Sequence, residues 1–327
     1  MSLRNRLTEK FGIEHPIVLA PMDYVADWRL ATAVAEAGGL GLLGGGYGDE
    51  AWLDEQFARV SNAIGCGFIT WSMAQHPGLL DTTIAHRPAA IFLSFADPAP
   101  HAPAVRAAGI PLICQVHTVA QAHRAIEVGA DVIAAQGGEA GGHGTGTRST
   151  FTLVPELADL LRTRAPHVQL LAAGGIADGR GLAAALALGA DGVLVGTRFW
   201  AAREAAIPPA CQMRGLRAGG DDTVRQSVFD IVRGKSWPAP YSGRVLRNDF
   251  VQRWHGSESQ LQECLADNKT RFADAVNAGD YDVANVIVGE AIGQIDRIET
   301  AASIISDMVA TATRILGRVG ALTGLAR

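Results

Sequence analysis

The sequence predicts an α/β fold: a (β/α)8 TIM barrel followed by a mostly helical C-terminal accessory region. Three observations predict it. First, a motif recurs in which a helical run ends in glycine and a short apolar strand follows, at Glu36–Leu43, Arg106–Ile113, Glu127–Ala134 and Ala187–Leu194. Gly38, Gly109, Gly129 and Gly189 stand where a helix ends on a left-handed residue. Second, these strands are apolar throughout and do not alternate, as in a parallel sheet covered by helices on both faces. Third, polar or glycine-rich segments follow the strands, where a barrel builds its site from βα loops.

Eight strands are expected, near Ile17–Ala20, Leu40–Leu43, Gly67–Trp71, Ala90–Phe95, Leu112–Val116, Val132–Ala135, Gln169–Ala173 and Gly192–Val195. Helices are expected at Trp28–Ala37, Glu50–Asn62, Pro103–Ala108, Val119–Val128, Pro155–Thr163 and Gly179–Leu188, with the weakest pattern around His76–His86. A doubly wound open sheet is the competing architecture. It needs fewer strands and a glycine fingerprint after the first, whereas here the first strand ends in Ala20-Pro21-Met22.

Residues 1–206 are thus read as the barrel. From Ile207 to Gly256 the texture is irregular, with Pro208, Pro209, Pro238 and Pro240. Helical runs are expected at Ser257–Ala278 and Val283–Leu316, the second because Ile287, Ala291, Ile295 and Ile298 fall on one face. Residues 207–296 are read as a helical substrate-covering region and 297–327 as a helix packing back on the barrel.

Composition narrows the function classes. The chain has 327 residues, 48% hydrophobic and 19% charged, which is globular and not disordered. A net charge of −5 gives no polycation signature for nucleic acid or anionic membrane. Cys66, Cys114, Cys211 and Cys264 form no C-x-x-C pair, which argues against a zinc ribbon or dithiol centre. The N-terminus lacks the apolar core of a signal peptide. The most apolar stretch, Leu182–Val195, contains Asp191 and is too short to span a bilayer. The expectation is a soluble cytoplasmic protein acting on a small molecule.

The candidate chemistry lies in the expected loops. After the sixth strand comes Gln136–Thr147, too rich in glycine to pack a core and carrying His143 and Glu139. Glycines let backbone approach a planar ligand, and a lone histidine there titrates near neutrality. Alone, this is equally a surface loop with an incidental histidine; its place at a strand's C-terminal end favours a catalytic acid/base. Gly174-Gly175 follows the seventh strand, and Gly196-Thr197 follows Leu194-Val195 of the eighth. That pair of loops is where barrels commonly bind phosphate, although tight turns use glycine anyway. Ala20-Pro21-Met22 and Thr70-Trp71-Ser72-Met73 offer apolar and sulfur-bearing tips suited to a flat heteroaromatic ring, or ordinary core residues. Asp23, Glu139 and Asp178 lack metal-ligand spacing and read better as caps or loop hydrogen bonds, so no metal is expected.

Four segments, His15–Met22, Ala135–His143, Ala172–Gly179 and Leu194–Phe199, together with the later Gly289–Ile295, resemble the nitronate monooxygenases, formerly 2-nitropropane dioxygenases. The A-G-G-H loop and G-T-R-F turn are shared with FMN-dependent enoyl-acyl-carrier-protein reductases and NADH:quinone reductases. The resemblance implies non-covalent FMN and a catalytic role for His143. It implies cofactor contacts from Ala20, Pro21, Met22, Thr70, Gln136, Gly141, Leu194 and Val195, with phosphate contacts from Gly174, Gly175, Gly196 and Thr197. Gln115 stands where some relatives carry a lysine beside the flavin, which leaves the redox tuning open. The implied reaction is oxidation by O2 of an alkyl nitronate or nitroalkane to a carbonyl compound and nitrite, in a chain expected as a homodimer. The alternatives are an NAD(P)H-dependent FMN reductase of the same superfamily and a non-redox barrel binding a phosphorylated metabolite.

Overall fold

The computed structural model describes residues 3–322. Eight parallel strands form a ring: β1 (Ile17–Leu19), β2 (Leu42–Gly46), β3 (Gly65–Ile69), β4 (Ile91–Ser94), β5 (Leu112–Val116), β6 (Val132–Gln136), β8 (Gln169–Ala173) and β9 (Gly192–Val195). β7 (Gly142–Gly144) belongs to a second sheet. Neighbours run β1-β9-β8-β6-β5-β4-β3-β2, and a parallel bridge between Val18 and Leu40 closes the ring. The four helix-ending glycines, Gly38, Gly109, Gly129 and Gly189, all take positive φ, between 68° and 96°.

Burial on both strand faces makes two cores. Inside the ring Val18, Leu40, Phe92, Ile113, Val132 and Leu171 pack together. Outside it Leu30, Val105, Leu157 and Leu182 seat helices on the strands. The helix Arg6–Phe11 stoppers the N-terminal end of the barrel: Leu7 joins the interior cluster, while Arg6 and Lys10 pair with Asp191 and Asp131. The opposite end, where β1 to β9 finish, is left to the loops.

The accessory region holds helices Pro209–Leu216, Val228–Arg233, Asp249–Trp254, Glu258–Glu263 and Leu265–Ala278. It also contains a sheet the sequence did not predict: β10 (Thr223–Gln226) and β11 (Ser242–Leu246), antiparallel, with β11 pairing onto β7 of the barrel loop. The expected helix Val283–Leu316 is two things. Residues 283–300 are irregular, with a 3-10 turn at Glu290–Gln294, and the helix is Ala301–Leu322. The early part surrenders its helical bonds because Gly289 and Glu290 donate N–H groups to Thr197 Oγ1 (2.9 Å) and Glu139 O (3.0 Å). The run Ser257–Ala278 breaks at Cys264.

Two barrel boundaries also move. Thr70 and Trp71 leave the strand and open a one-turn helix, Thr70–Met73. The helix expected from Pro155 begins at Thr150, because the Glu139 carboxylate accepts from the Thr150 N–H at 3.0 and 3.1 Å and from its hydroxyl at 3.0 Å. Glu139 is therefore a helix cap, and Asp178 caps Gly179–Ala187. Residues 1–2 and 323–327 of the expected segments lie outside the described residues.

Ala301–Leu322 packs on Gly179–Ala187 and Trp28–Glu36 through Ile304, Ile305, Met308 and Ala312. At Gly179 the two backbones nearly touch: a Cβ there would lie 2.4 Å from the Met308 carbonyl oxygen. Overpacking at such a crossing costs about 1–3 kcal/mol. Gly179→Ala is therefore expected to lower the melting temperature, read by calorimetry, whereas an unchanged melting temperature would mean the last helix does not rest there.

Candidate active site

The C-terminal ends of the strands surround one deep cavity. Its floor and walls come from Ala20-Pro21-Met22 after β1, Gly67 and Ile69 of β3, Gln115 of β5, Gln136 of β6, and Leu194 of β9. Glu139–His143, Gly174-Gly175 and Gly196-Thr197 complete the wall, and Arg233, Trp237 and Ile287 come from the accessory region. Twelve of the fourteen residues singled out in the sequence thus meet in one place. Thr70 and Val195 do not line it. Val195 packs in the outer core, and Thr70 is buried with its hydroxyl unpaired.

His143 is not on a free loop. It sits in β7, opposite Gly243 of β11. Its Nε2 lies 2.9 and 3.0 Å from the two oxygens of Asp230, and its ring stacks on Trp237 with centroids 3.5 Å apart and planes 6° apart. Nδ1 has no partner among the described residues. Burial outweighs Asp230 and holds the imidazole pKa below its usual value, with Arg233 and Arg225 adding to the effect. A neutral ring facing a carboxylate presents Nε2–H to it, which leaves Nδ1 as the basic nitrogen.

Trp237 is fixed in turn. Its Nε1–H donates to the Tyr47 hydroxyl at 2.9 Å, and Phe95 and Tyr241 meet it edge-on. Phe95 holds a φ of 66°, a conformation costly for a bulky residue that here aims the ring into the aromatic cluster.

Gln136 is oriented from behind. Its Oε1 takes the His117 Nε2–H at 2.7 Å, so the amide NH2 remains for the cavity. His117 is buried, and burial lowers its pKa, so it stays a neutral donor. Gln115 presents a buried Nε2 with no partner.

Two arginines hold the glycine loop. Arg225 of β10 donates to the carbonyls of Ser242 (2.7 Å), Gly144 (3.2 Å), Gly138 (3.2 Å) and Ala140 (3.3 Å). Arg244 of β11 donates twice to Gly138 O, at 3.0 and 3.2 Å, and pairs with Glu290 at 2.9 Å. From the other side the loop abuts residues 288–289: a Cβ on Gly141 would lie 2.5 Å from the Gly289 nitrogen.

The cavity suits a flat, phosphorylated cofactor. Gly174 and Gly175 take φ of 102° and 74° and line the cavity, where a Cβ on Gly175 would meet nothing closer than 3.7 Å. Gly196 begins the turn Thr197–Trp200 beside them, and Ala20, Pro21 and Met22 give an apolar bed. The unpaired Gln115 donor and the free Gln136 amide match the polar rim of a heteroaromatic ring.

Asp230, Trp237, Arg225, Arg244 and His117 were not found from the sequence. Their usable signal was slight: a tryptophan between Ser236 and Pro238 in an irregular stretch, and arginines in strands too short to show a period.

A family model described as nitronate monooxygenase matches residues 4–68 and 68–311. The chain is 33% identical to a nitronate monooxygenase of Neurospora crassa over 90% of its length and 88% of that protein's. It is 36% identical to nitronate monooxygenase npaC of Metarhizium robertsii, over 93% and 92% respectively. Among solved structures it is similar to FabK from Thermotoga maritima, with a TM-score of 0.84, 29% identity and coverage of 98% of this chain and 100% of that one.

Replacing Arg225 tests the clamp. Arg225→Met keeps the apolar stem and strips four carbonyls of a charged donor, a loss of about 2–3 kcal/mol. Stability is expected to fall, and amide exchange across residues 137–144 to accelerate ahead of global unfolding. Exchange rising uniformly over the whole chain would place the arginine's role elsewhere.

Proposed function

The chain belongs to the nitronate monooxygenase family, and we propose that it oxidises alkyl nitronates, and nitroalkanes through removal of their α-proton, with O2 to a carbonyl compound and nitrite, using FMN. The observation that carries the reading is His143, stacked on Trp237 and bonded through Nε2 to Asp230, beside a glycine-lined cavity. FMN, when bound, would accept the substrate's electrons and pass them to O2. Gly174, Gly175, Gly196 and Thr197 would hold its phosphate through backbone N–H groups. Ala20, Pro21, Met22, Leu194, Gly141, Gln115 and Gln136 would hold its ring.

The protein's own part is proton handling and placement. Nδ1 of His143 takes the α-proton of a neutral nitroalkane; Asp230 fixes the tautomer that leaves Nδ1 free and stabilises the imidazolium that forms. With a pre-formed nitronate no proton need move, and His143 orients the anion. Residues 207–296 would cover the substrate. The test is nitrite release with O2 uptake when flavin-loaded protein meets a nitronate. NADH consumption with an enoyl thioester or a quinone, and no nitrite, would turn the assignment to the reductase alternative.

Gly196→Asp sets a carboxylate where the phosphate would lie, and the space is open: a Cβ there meets Ala20 at 3.6 Å and Met22 at 3.9 Å. The variant is expected to fold but purify without flavin, and chromatography of denatured wild type to yield FMN and not FAD; full flavin occupancy in the variant would move the phosphate site. For His143→Ala, nitroalkane turnover is expected to drop about 10²–10⁴-fold and nitronate turnover less. Asp230→Asn should mimic it on nitroalkane, since an amide can present a donor to Nε2 and force the proton onto Nδ1. Because the native imidazole pKa is lowered, the base stays neutral to lower pH than an ordinary histidine. The acid limb of the nitroalkane pH profile therefore lies below the usual histidine value; a limb above it would contradict a desolvated base.

A further inference from the structure

Arg233 lines the cavity from the last turn of the helix that also carries Asp230. It has neither a hydrogen bond nor an ion pair among the described residues, although its charge acts on Asp23, Tyr47 and His143. Two residues on, the Lys235 ammonium lies over the Tyr47 ring at 3.8 Å, again without a carboxylate. The remaining acids nearby are committed: Asp230 to His143, Glu139 to the Thr150 helix end, Asp49 to the Tyr24 hydroxyl. Among the described residues Asp23 is held only by the Tyr47 backbone N–H. It lines the cavity and is wedged against β2 so tightly that a Cβ on Gly46 would fall 1.6 Å from its Oδ1, and it faces Arg233 and Lys235 without reaching either.

We propose that Arg233 anchors an anionic group of the substrate and that Asp23 is its internal competitor for the guanidinium. The inference rests on the cavity being the substrate site proposed above. Burial raises the Asp23 pKa to about 6, opposed by Arg233, Lys235 and the Tyr47 N–H and reinforced by Asp49; Tyr24 and Tyr47 are the other titratable groups it faces. Below that value Asp23 is neutral and Arg233 is free for a ligand anion. Above it, the Asp23 carboxylate neutralises the guanidinium and repels the ligand. Anion affinity therefore declines as pH rises through about 6.

Binding, not turnover, tests this. The probes are 1-butanesulfonate, anionic at every pH used, and butanesulfonamide, its neutral counterpart, titrated into flavin-loaded protein by calorimetry between about pH 5 and pH 8. Wild type is expected to prefer the sulfonate about tenfold or more at low pH, the strength of one charge-assisted contact. The preference should shrink as pH rises. In Arg233→Gln it should collapse at every pH. In Asp23→Asn it should persist at high pH, with the pH dependence flattened; Asp23→Ser repeats the measurement should the amide disturb folding. Because His143 also senses Arg233, His143→Gln serves as the second control and should keep the pH dependence. An unchanged preference in Arg233→Gln, or a pH dependence that survives Asp23 replacement and vanishes with His143, would overturn the proposal. Failure of wild type to release nitrite would overturn the nitronate reading and leave these titrations interpretable.

Discussion

The site depends on the grip of two arginines on a loop that cannot hold itself. Residues 137–144 carry five glycines, so beyond Glu139 and His143 the stretch has little side chain to fix its conformation. Arg225 and Arg244 supply the missing order by taking its carbonyls, while residues 288–290 press from the other side. Among the described residues Arg225 forms no ion pair, and burial lowers its pKa to about 10, still leaving it charged at neutral pH. A charge kept there, bonded to four carbonyl oxygens, sets β7 in register with β11, and that register delivers His143 to Asp230.

The same low-polarity surroundings tune the titratable groups in opposite senses. Desolvation disfavours whichever form is charged, so it lowers His143 and His117 and raises Asp23 and Tyr47. Each group is thereby moved toward its neutral form. Aromatic rings surround the imidazole: Trp237 stacks on it and Phe95 meets it edge-on, while Tyr47 and Tyr241 pack against Trp237.

The barrel was legible in the sequence because its signals are local. Uniformly apolar strands and helix-ending glycines each report on a few adjacent residues, and all eight strands lie near their expected places. The floor of the cavity was legible for a related reason: βα-loop residues follow strands at short, regular distances. What escaped was nonlocal. Nothing near His143 announces Asp230, which is brought in by helix Val228–Arg233, and β10 and β11 are too short and too polar to show alternation. The periodic apolar run Ile287–Ile298 read as helix because periodicity ignores where backbone N–H groups find their partners; here they find Glu139 and Thr197. The Thr150 helix start was hidden by a cap 11 residues upstream.

The pairing of β7 with β11 has a consequence for the birth of the molecule. On a ribosome the ring strands through β9 can emerge and meet before β11 has been made. Gly138 and Arg244 are separated by 106 residues, and His143 and Asp230 by 87. Until that later segment arrives the loop has no clamp and the imidazole no carboxylate, and closing so long a span adds an entropic cost of its own. In chain order, every ring strand therefore precedes the residues that clamp the loop and face the imidazole.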